Sequence, residues 1–180
     1  MSEKVLRIAV IGPESSGKSQ LCEQLADYFE TSWVKEYART YLMALNRSYN
    51  LEDIVTIYER QFEIEQEMLE SAVGMIFIDT EFIIAKVWCE NAFHECPPLI
   101  EKMIHTNPYD LYLLTAPDLP WQFDPLRENP GKGDFFFNWY VRILEVHSLN
   151  YKIISGGGDQ RKECAIIAVK EFLDSNSIAK

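Results

Sequence analysis

Residues 12–19 read Gly12-Pro13-Glu14-Ser15-Ser16-Gly17-Lys18-Ser19, a complete G-x-x-x-x-G-K-[ST] pattern. Few eight-residue stretches restrict a fold so tightly. The two glycines let the backbone turn until successive N–H groups converge on one point, which makes an anion cradle. Lys18 brings a mobile cation to the outer phosphates of a bound polyphosphate, and the Ser19 hydroxyl is of the kind that ligates Mg²⁺. A helix beginning at Lys18 adds the partial positive charge of its first turn. Four fixed positions are a thin signal alone, so the flanks decide. Residues 5–11 are an almost unbroken apolar run, as expected of a strand buried on both faces. After Lys18, the residues Leu21, Leu25 and Tyr28 recur at helical spacing, with Cys22 and Phe29 beside them. Strand, glycine turn and helix together are the context in which the pattern binds phosphate.

The rest of the chain sets the limits on what such a loop serves. A length of 180 residues suits one well-filled core, so residues 1–180 are read as a single domain. The formal charge of −11 argues against a nucleic-acid partner, because counterion release needs a basic surface. No apolar run approaches a membrane span, which argues against a membrane partner. The opening residues lead straight into the first strand and leave no room for a leader, so a cytoplasmic location is expected. Cys22, Cys89, Cys96 and Cys164 form no C-x-x-C pair, consistent with reduced thiols. His94-Glu95-Cys96 offers too few neighbouring ligands for a zinc site and reads as a polar loop before Pro97.

Five apolar runs read as strands, over residues 5–11, 32–34, 75–79, 110–115 and 151–155. Helical patterns cover residues 18–30, a long stretch from 51 that ends before Gly74, residues 81–90, residues 135–149 and a last stretch from 159. Asn50 is the expected N-cap of the long helix, with Asp53 as its capping partner, and Asp159 is the expected N-cap of the last. Strands alternating with helices give an α/β fold, a five-stranded parallel sheet between two helical layers. Ligands of such sheets bind outside the carboxyl ends of the strands. Residues 124–134 hold Pro125, Pro130, Gly131 and Gly133 between a strand and a helix, and read as a lid.

The residues after each strand are therefore the candidates. Phosphoryl transfer needs a metal-holding carboxylate, a group to receive or orient the accepting hydroxyl, and cations around the transferring group. Asp79 closes the third strand and is the expected Mg²⁺ carboxylate, with a helix N-cap as its alternative. Glu36 is expected to face the acceptor, or else to pair with Lys35 or Arg39. Arg39 faces either phosphate or solvent. Arg127, inside the expected lid, is placed to fold over the γ-phosphate, with solvated loop charge as the alternative. Gly12, Glu14, Ser15, Ser16, Gly17, Lys18, Ser19 and Gln20 form the expected triphosphate site. Gly157 and Arg161 follow the fifth strand, where a glycine run permits close approach of a flat base, although a flexible turn accounts for those glycines equally well. Tyr37, Trp88 and Trp121 lie near strand ends or just beyond and are expected at the acceptor site, Trp88 and Trp121 as ring-stacking groups, with core packing as the alternative.

With these pieces in place, the chain resembles the ribosylnicotinamide kinase domain of the NadR family over roughly residues 5–173. The phosphate loop, Glu36-Tyr37-Ala38-Arg39 with Tyr41-Leu42, Gln61, Asp79-Thr80 and Trp88 are similar to that family's motifs in the expected order. So are Tyr109-Asp110-Leu111-Tyr112-Leu113-Leu114, Pro117-Asp118-Leu119-Pro120-Trp121 and Asp124-Pro125-Leu126-Arg127-Glu128-Asn129-Pro130. The resemblance implies the P-loop NTPase fold of nucleoside and nucleotide monophosphate kinases. It implies ATP as donor with Mg²⁺, nicotinamide riboside as acceptor and nicotinamide mononucleotide as product. Two departures stand out. Glu81-Phe82-Ile83-Ile84 follows Asp79-Thr80 where the family more often has Asp and a pair of threonines. Gly131-Lys132-Gly133 occupies the stretch that usually carries a second lid arginine. These departures leave open a different nucleoside or small metabolite as acceptor, or a nucleotide-binding regulatory module with little transfer activity.

Overall fold

The apolar run that precedes the glycine turn forms β1 (Leu6–Ile11), the central strand of a five-stranded sheet. The computed structural model describes residues 4–177, so residues 1–3, read above as the lead into this strand, lie outside the described residues. The other strands are β2 (Ser32–Val34), β3 (Met75–Asp79), β4 (Leu111–Thr115) and β5 (Tyr151–Ile154). Their order is β2-β3-β1-β4-β5, and every neighbouring pair is parallel. The register sets Val10 beside Asp79 and Ile11 beside Leu114, so the carboxyl ends of β3, β1 and β4 lie side by side.

Side-chain alternation gives the sheet two apolar faces. Ala9, Ile11, Ile76, Ile78, Tyr112 and Leu114 belong to one core, and Ile8, Val10, Phe77, Leu111, Leu113 and Ile154 to the other. Helices α1 (Lys18–Tyr28) and α7 (Asp159–Ser177) cover the second face with Leu21, Leu25, Ala165 and Val169. The first face carries α2 (Tyr37–Ala44), α3 (Leu51–Leu69), α4 (Phe82–Phe93), α5 (Pro98–Thr106) and α6 (Gly133–Val146). They contribute Ile54, Ile57, Ile83, Ile100 and Leu144 to its core. Each such buried aliphatic side chain stabilises the fold by roughly 1.5–3 kcal/mol. This is the three-layer P-loop NTPase fold.

The elements differ from the sequence reading at their ends and in number. Two helices have no counterpart in it, α2 and α5. Each spans only about two turns, too short for a clear apolar stripe to repeat. The helix expected over 135–149 starts two residues earlier and ends at Val146. Asp110 precedes β4 rather than opening it, and Ser155 falls after β5. Asp159 is the first residue of α7 rather than its cap. The cap of α4 is Glu81, whose carboxylate accepts the Ile83 N–H, so Asp79 does not serve as that cap.

Two local devices shape the site. Gly12 turns the chain at φ 144°, where a Cβ atom would sit 2.2 Å from Thr115 Oγ1, and only glycine fits. Asn50 and Asp53 form the expected capping box on α3. Asp53 also receives both Arg47 guanidinium nitrogens, at 2.6 and 2.8 Å, and the Tyr41 hydroxyl at 2.7 Å. That cluster fixes the 45–50 loop, which forms one wall of the site.

Candidate active site

Loops from the carboxyl ends of the strands enclose a cavity of about 710 Å³. Residues 13–20 supply its floor. Gly17, at φ 79°, is the left-handed N-cap of α1 and aims the helix's first N–H groups toward the loop. The Ser16 hydroxyl lies 2.6 Å from Thr115 Oγ1 and donates to Pro13 O at 2.7 Å. Lys18 Nζ folds back onto the Gly12 and Pro13 carbonyls at 3.0 and 2.9 Å.

Four cations line the cavity of this acidic protein: Lys18, Arg39, Arg47 and Arg127. Arg39 pairs with Asp124 at 2.8 Å, and Arg47 with Asp53. Arg127 hydrogen-bonds only neutral oxygens, Gln122 O at 2.6 Å and Ser15 Oγ at 3.3 Å. Among the described residues, Lys18 and Arg127 form no ion pair. The cavity thus holds two cations that no carboxylate contacts directly.

The segment read as a lid crosses the phosphate loop and is tied to it. Glu14 accepts the backbone N–H groups of Glu128 and Asn129, at 3.2 and 3.0 Å, and the Asn129 side-chain amide at 3.1 Å. Ser15, itself left-handed at φ 61°, accepts the Gln122 N–H at 2.9 Å. The Tyr49 hydroxyl donates to Glu128 at 2.7 Å, and burial pushes its pKa up to about 12. Lys132, in the stretch that departs from the family pattern, is exposed and reaches Asn129 Oδ1 at 3.3 Å.

Asp79 is fully buried, and neither carboxylate oxygen has a hydrogen-bond partner. No other carboxylate among the described residues has both oxygens buried and unpaired. Burial pushes its pKa up to about 6, and the Glu36 carboxylate adds to the rise, while Lys18 and the Ser19 hydroxyl oppose it. A buried, orphaned carboxylate beside a hydroxyl and a second carboxylate is an oxygen-rich set of the kind that suits Mg²⁺. Glu36 lines the cavity half-buried at the start of α2, where its side chain makes no capping hydrogen bond.

The sequence candidates divide accordingly. Glu14, Ser15, Ser16, Gly17, Lys18, Ser19, Gln20, Glu36, Arg39, Trp88 and Arg127 all line the one cavity. Gly12 forms the turn beneath it. Trp88 meets Tyr49 edge-on at 5.2 Å on its wall. Asp79 is fully buried outside the lining, and four further candidates lie elsewhere. Tyr37 packs into the core beneath α2, with its N–H on Gln61 Oε1 at 2.7 Å. Trp121 is outside the lining and packs against exposed Phe123. Gly157 is also outside it, although Gly158 is not.

Arg161 is buried and has every N–H donor engaged. Nε binds Gly156 O, Nη1 binds Ser16 O and Ile154 O, and Nη2 binds Ala116 O and Asp118. It braces the ends of β4 and β5 against the phosphate loop and has no donor left for a nucleotide. The sequence left the glycine run open between a surface for a flat base and a flexible turn, and in the structure the Gly156 carbonyl of that turn accepts from the arginine. Sequence reasoning missed Tyr49, Asn91, Asn129 and Tyr140, which also line the cavity. None follows a strand directly, so the strand-end rule had no means of finding them.

Three comparisons bear on this geometry. A family model described as an AAA domain, AAA_28, matches residues 7–161. The chain is 28% identical over 153 residues to the trifunctional NAD biosynthesis/regulator protein NadR of Escherichia coli (strain K12), covering 82% of this chain and 37% of that protein. A crystal structure of a NadR protein in complex with NR superposes with a TM-score of 0.82 at 25% identity, over 93% of this chain and 51% of that one. A deoxyadenosine kinase from M. mycoides shares the fold, with a TM-score of 0.60 at 12% identity over 94% of this chain and all of that one. The chain spans about half, or less, of the NadR proteins it matches.

Proposed function

The chain belongs to the AAA_28 family of AAA domains, and on that premise we propose that it is an ATP-dependent kinase that phosphorylates nicotinamide riboside to nicotinamide mononucleotide for NAD synthesis. The observation that carries this reading is the single cavity. It holds the phosphate loop, two cations outside any ion pair and a half-buried carboxylate, with Trp88 and Tyr49 in its wall. Similarity to NadR, seen bound to NR, supports nicotinamide riboside as the acceptor.

In this reading the N–H groups of residues 14–19 hold the ATP phosphates, and Lys18 leaves the Gly12 and Pro13 carbonyls to reach them. Ser19 and Asp79 hold Mg²⁺, which when bound neutralises phosphate charge. Glu36 accepts a hydrogen bond from the 5′-hydroxyl of the riboside and takes its proton as the oxygen attacks the γ-phosphorus. It is assigned that part over Asp79 because it faces the cavity, whereas Asp79 is fully buried. The bond from γ-phosphorus to the bridging oxygen breaks, and ADP leaves with the electron pair. Arg127, held over the loop by Ser15 and Gln122, faces the charge on the transferring group. Trp88 and Tyr49 offer aromatic faces to the pyridinium cation.

The test is a panel of nucleosides with ATP and Mg²⁺, each product identified by mass. The proposal requires kcat/KM for nicotinamide riboside to exceed that for every other nucleoside by at least tenfold. Equal or faster transfer to another nucleoside would reassign the acceptor. ATP binding without transfer to any acceptor would favour a regulatory module.

A further inference from the structure

At the other end of the sheet lies a cluster that the transfer reaction does not use. Glu101 and His105 stand four residues apart on α5, so they share one face of its last turns. His147 is the C-cap of α6. The chain leaves α5 for the start of β4, and leaves α6 for the start of β5. Both helix ends therefore lie at the amino edge of the sheet, away from the phosphate loop. One carboxylate oxygen of Glu101 and one ring nitrogen from each histidine lie within 4.8 Å of one another. The two imidazoles meet at a centroid distance of 4.6 Å.

We propose that Glu101, His105 and His147 form a binding site for a zinc-class divalent ion, which ties α5 to the end of α6. Two imidazole nitrogens and one carboxylate oxygen are a borderline ligand set, suited to Zn²⁺ and its neighbours rather than to Mg²⁺. Three protein ligands leave a fourth position for water. Ligand atoms around a tetrahedral ion at about 2.0–2.2 Å lie about 3.4 Å apart. Closing from 4.8 Å takes a small side-chain rotation, and His105 is exposed and free to make it. Lys86 Nζ donates to Glu101 and, at 2.7 Å, to Glu90, which orients the carboxylate as outer-shell partners do for metal ligands. An ion held here joins two helices that the chain otherwise links only through β4 and the lid segment. It stabilises the folded state by mass action and leaves the transfer step untouched.

The experiment uses untagged, chelator-stripped protein in millimolar Mg²⁺, titrated with ZnCl₂ by calorimetry, with thermal unfolding recorded in parallel. The site predicts one zinc per chain and a rise in Tm on saturation. His105→Ala, at an exposed position, and Glu101→Gln, at a half-buried one, should each weaken binding at least tenfold and abolish the rise. Cys96→Ser should bind as the wild type does, because the half-buried Cys96 thiol nearby is the competing ligand. Cobalt(II) in place of zinc should show ligand-field bands with no sulfur charge-transfer band. Absence of saturable zinc uptake by folded protein would overturn the proposal. So would uptake unchanged in His105→Ala, or uptake lost in Cys96→Ser.

Discussion

Glu14 of the phosphate loop accepts both the backbone N–H of Asn129, at 3.0 Å, and its side-chain amide, at 3.1 Å. A loop expected to spend its polar groups on phosphate thus uses one carboxylate to hold the segment that carries Arg127. Residues 128 and 129, which donate to Glu14, follow that arginine directly. Glu14→Ala should release the segment and lower kcat roughly tenfold, because charge-assisted hydrogen bonds of this kind contribute about 1.5–3 kcal/mol. KM for ATP should change less than kcat. Glu14→Gln, which keeps an acceptor oxygen, should recover part of the rate. Steady-state kinetics on the two variants check this, and a lost ATP affinity with unchanged kcat would assign Glu14 to the nucleotide instead.

Asp79 separates function from stability. Its two unpaired oxygens are costly in the ligand-free protein, and Glu36 adds repulsion. At pH 8, Asp79→Asn should therefore raise unfolding free energy by about 1 kcal/mol while lowering kcat roughly 10²–10³-fold. Chemical denaturation and turnover, measured on the same preparation, should move in opposite directions.

Glu81 gives the stability a pH dependence. Burial pushes its pKa from the ordinary 4.5 up to about 8, against the opposing Ile83 N–H. The folded state then holds the proton more tightly than the unfolded chain does. The stability this contributes is full below about pH 4.5 and is lost as pH rises through about 8. In metal-free buffer the wild type should lose a few kcal/mol more than Glu81→Gln between pH 5 and pH 9, since each tenfold change in proton affinity is worth about 1.4 kcal/mol. Parallel denaturation curves for the two proteins across that range would contradict the assignment.

Arg161 is expected to behave as a brace. Removing a buried guanidinium whose donors are all engaged leaves Asp118 and four carbonyl oxygens without it. Arg161→Met should cost about 3 kcal/mol of stability. Any fall in ATP affinity should track the unfolded fraction. A stable variant that binds ATP weakly would return Arg161 to the nucleotide site.

The centre of the sheet was legible in the sequence because β1, β3 and β4 are short apolar runs buried on both faces, whereas the edge strands β2 and β5 bury chiefly Val34 and Ile154 and were found as short runs between helical patterns. The phosphate loop was legible because its glycines and Lys18 answer to backbone geometry, which local sequence determines. The bracing bonds of Arg161 were not legible for the opposite reason. Its partners come from the phosphate loop and the ends of β4 and β5, and only the folded chain assembles them. Tyr49 escaped notice because a capping box and an Arg47–Asp53 pair, not a strand end, bring it to the cavity. Glu101, His105 and His147 carry no signal in spacing, since the two histidines are 42 positions apart in the chain.

In the proposed reaction, Lys18 and the riboside hydroxyl meet across one γ-phosphate. The most direct measurement is the mass-detected yield of nicotinamide mononucleotide from ATP, Mg²⁺ and nicotinamide riboside, with wild-type and Lys18→Ala proteins of matched Tm. The wild type should give steady product, and the variant should lose at least a hundredfold. Full turnover by Lys18→Ala, or no nicotinamide mononucleotide from folded wild type that binds Mg–ATP, would contradict it.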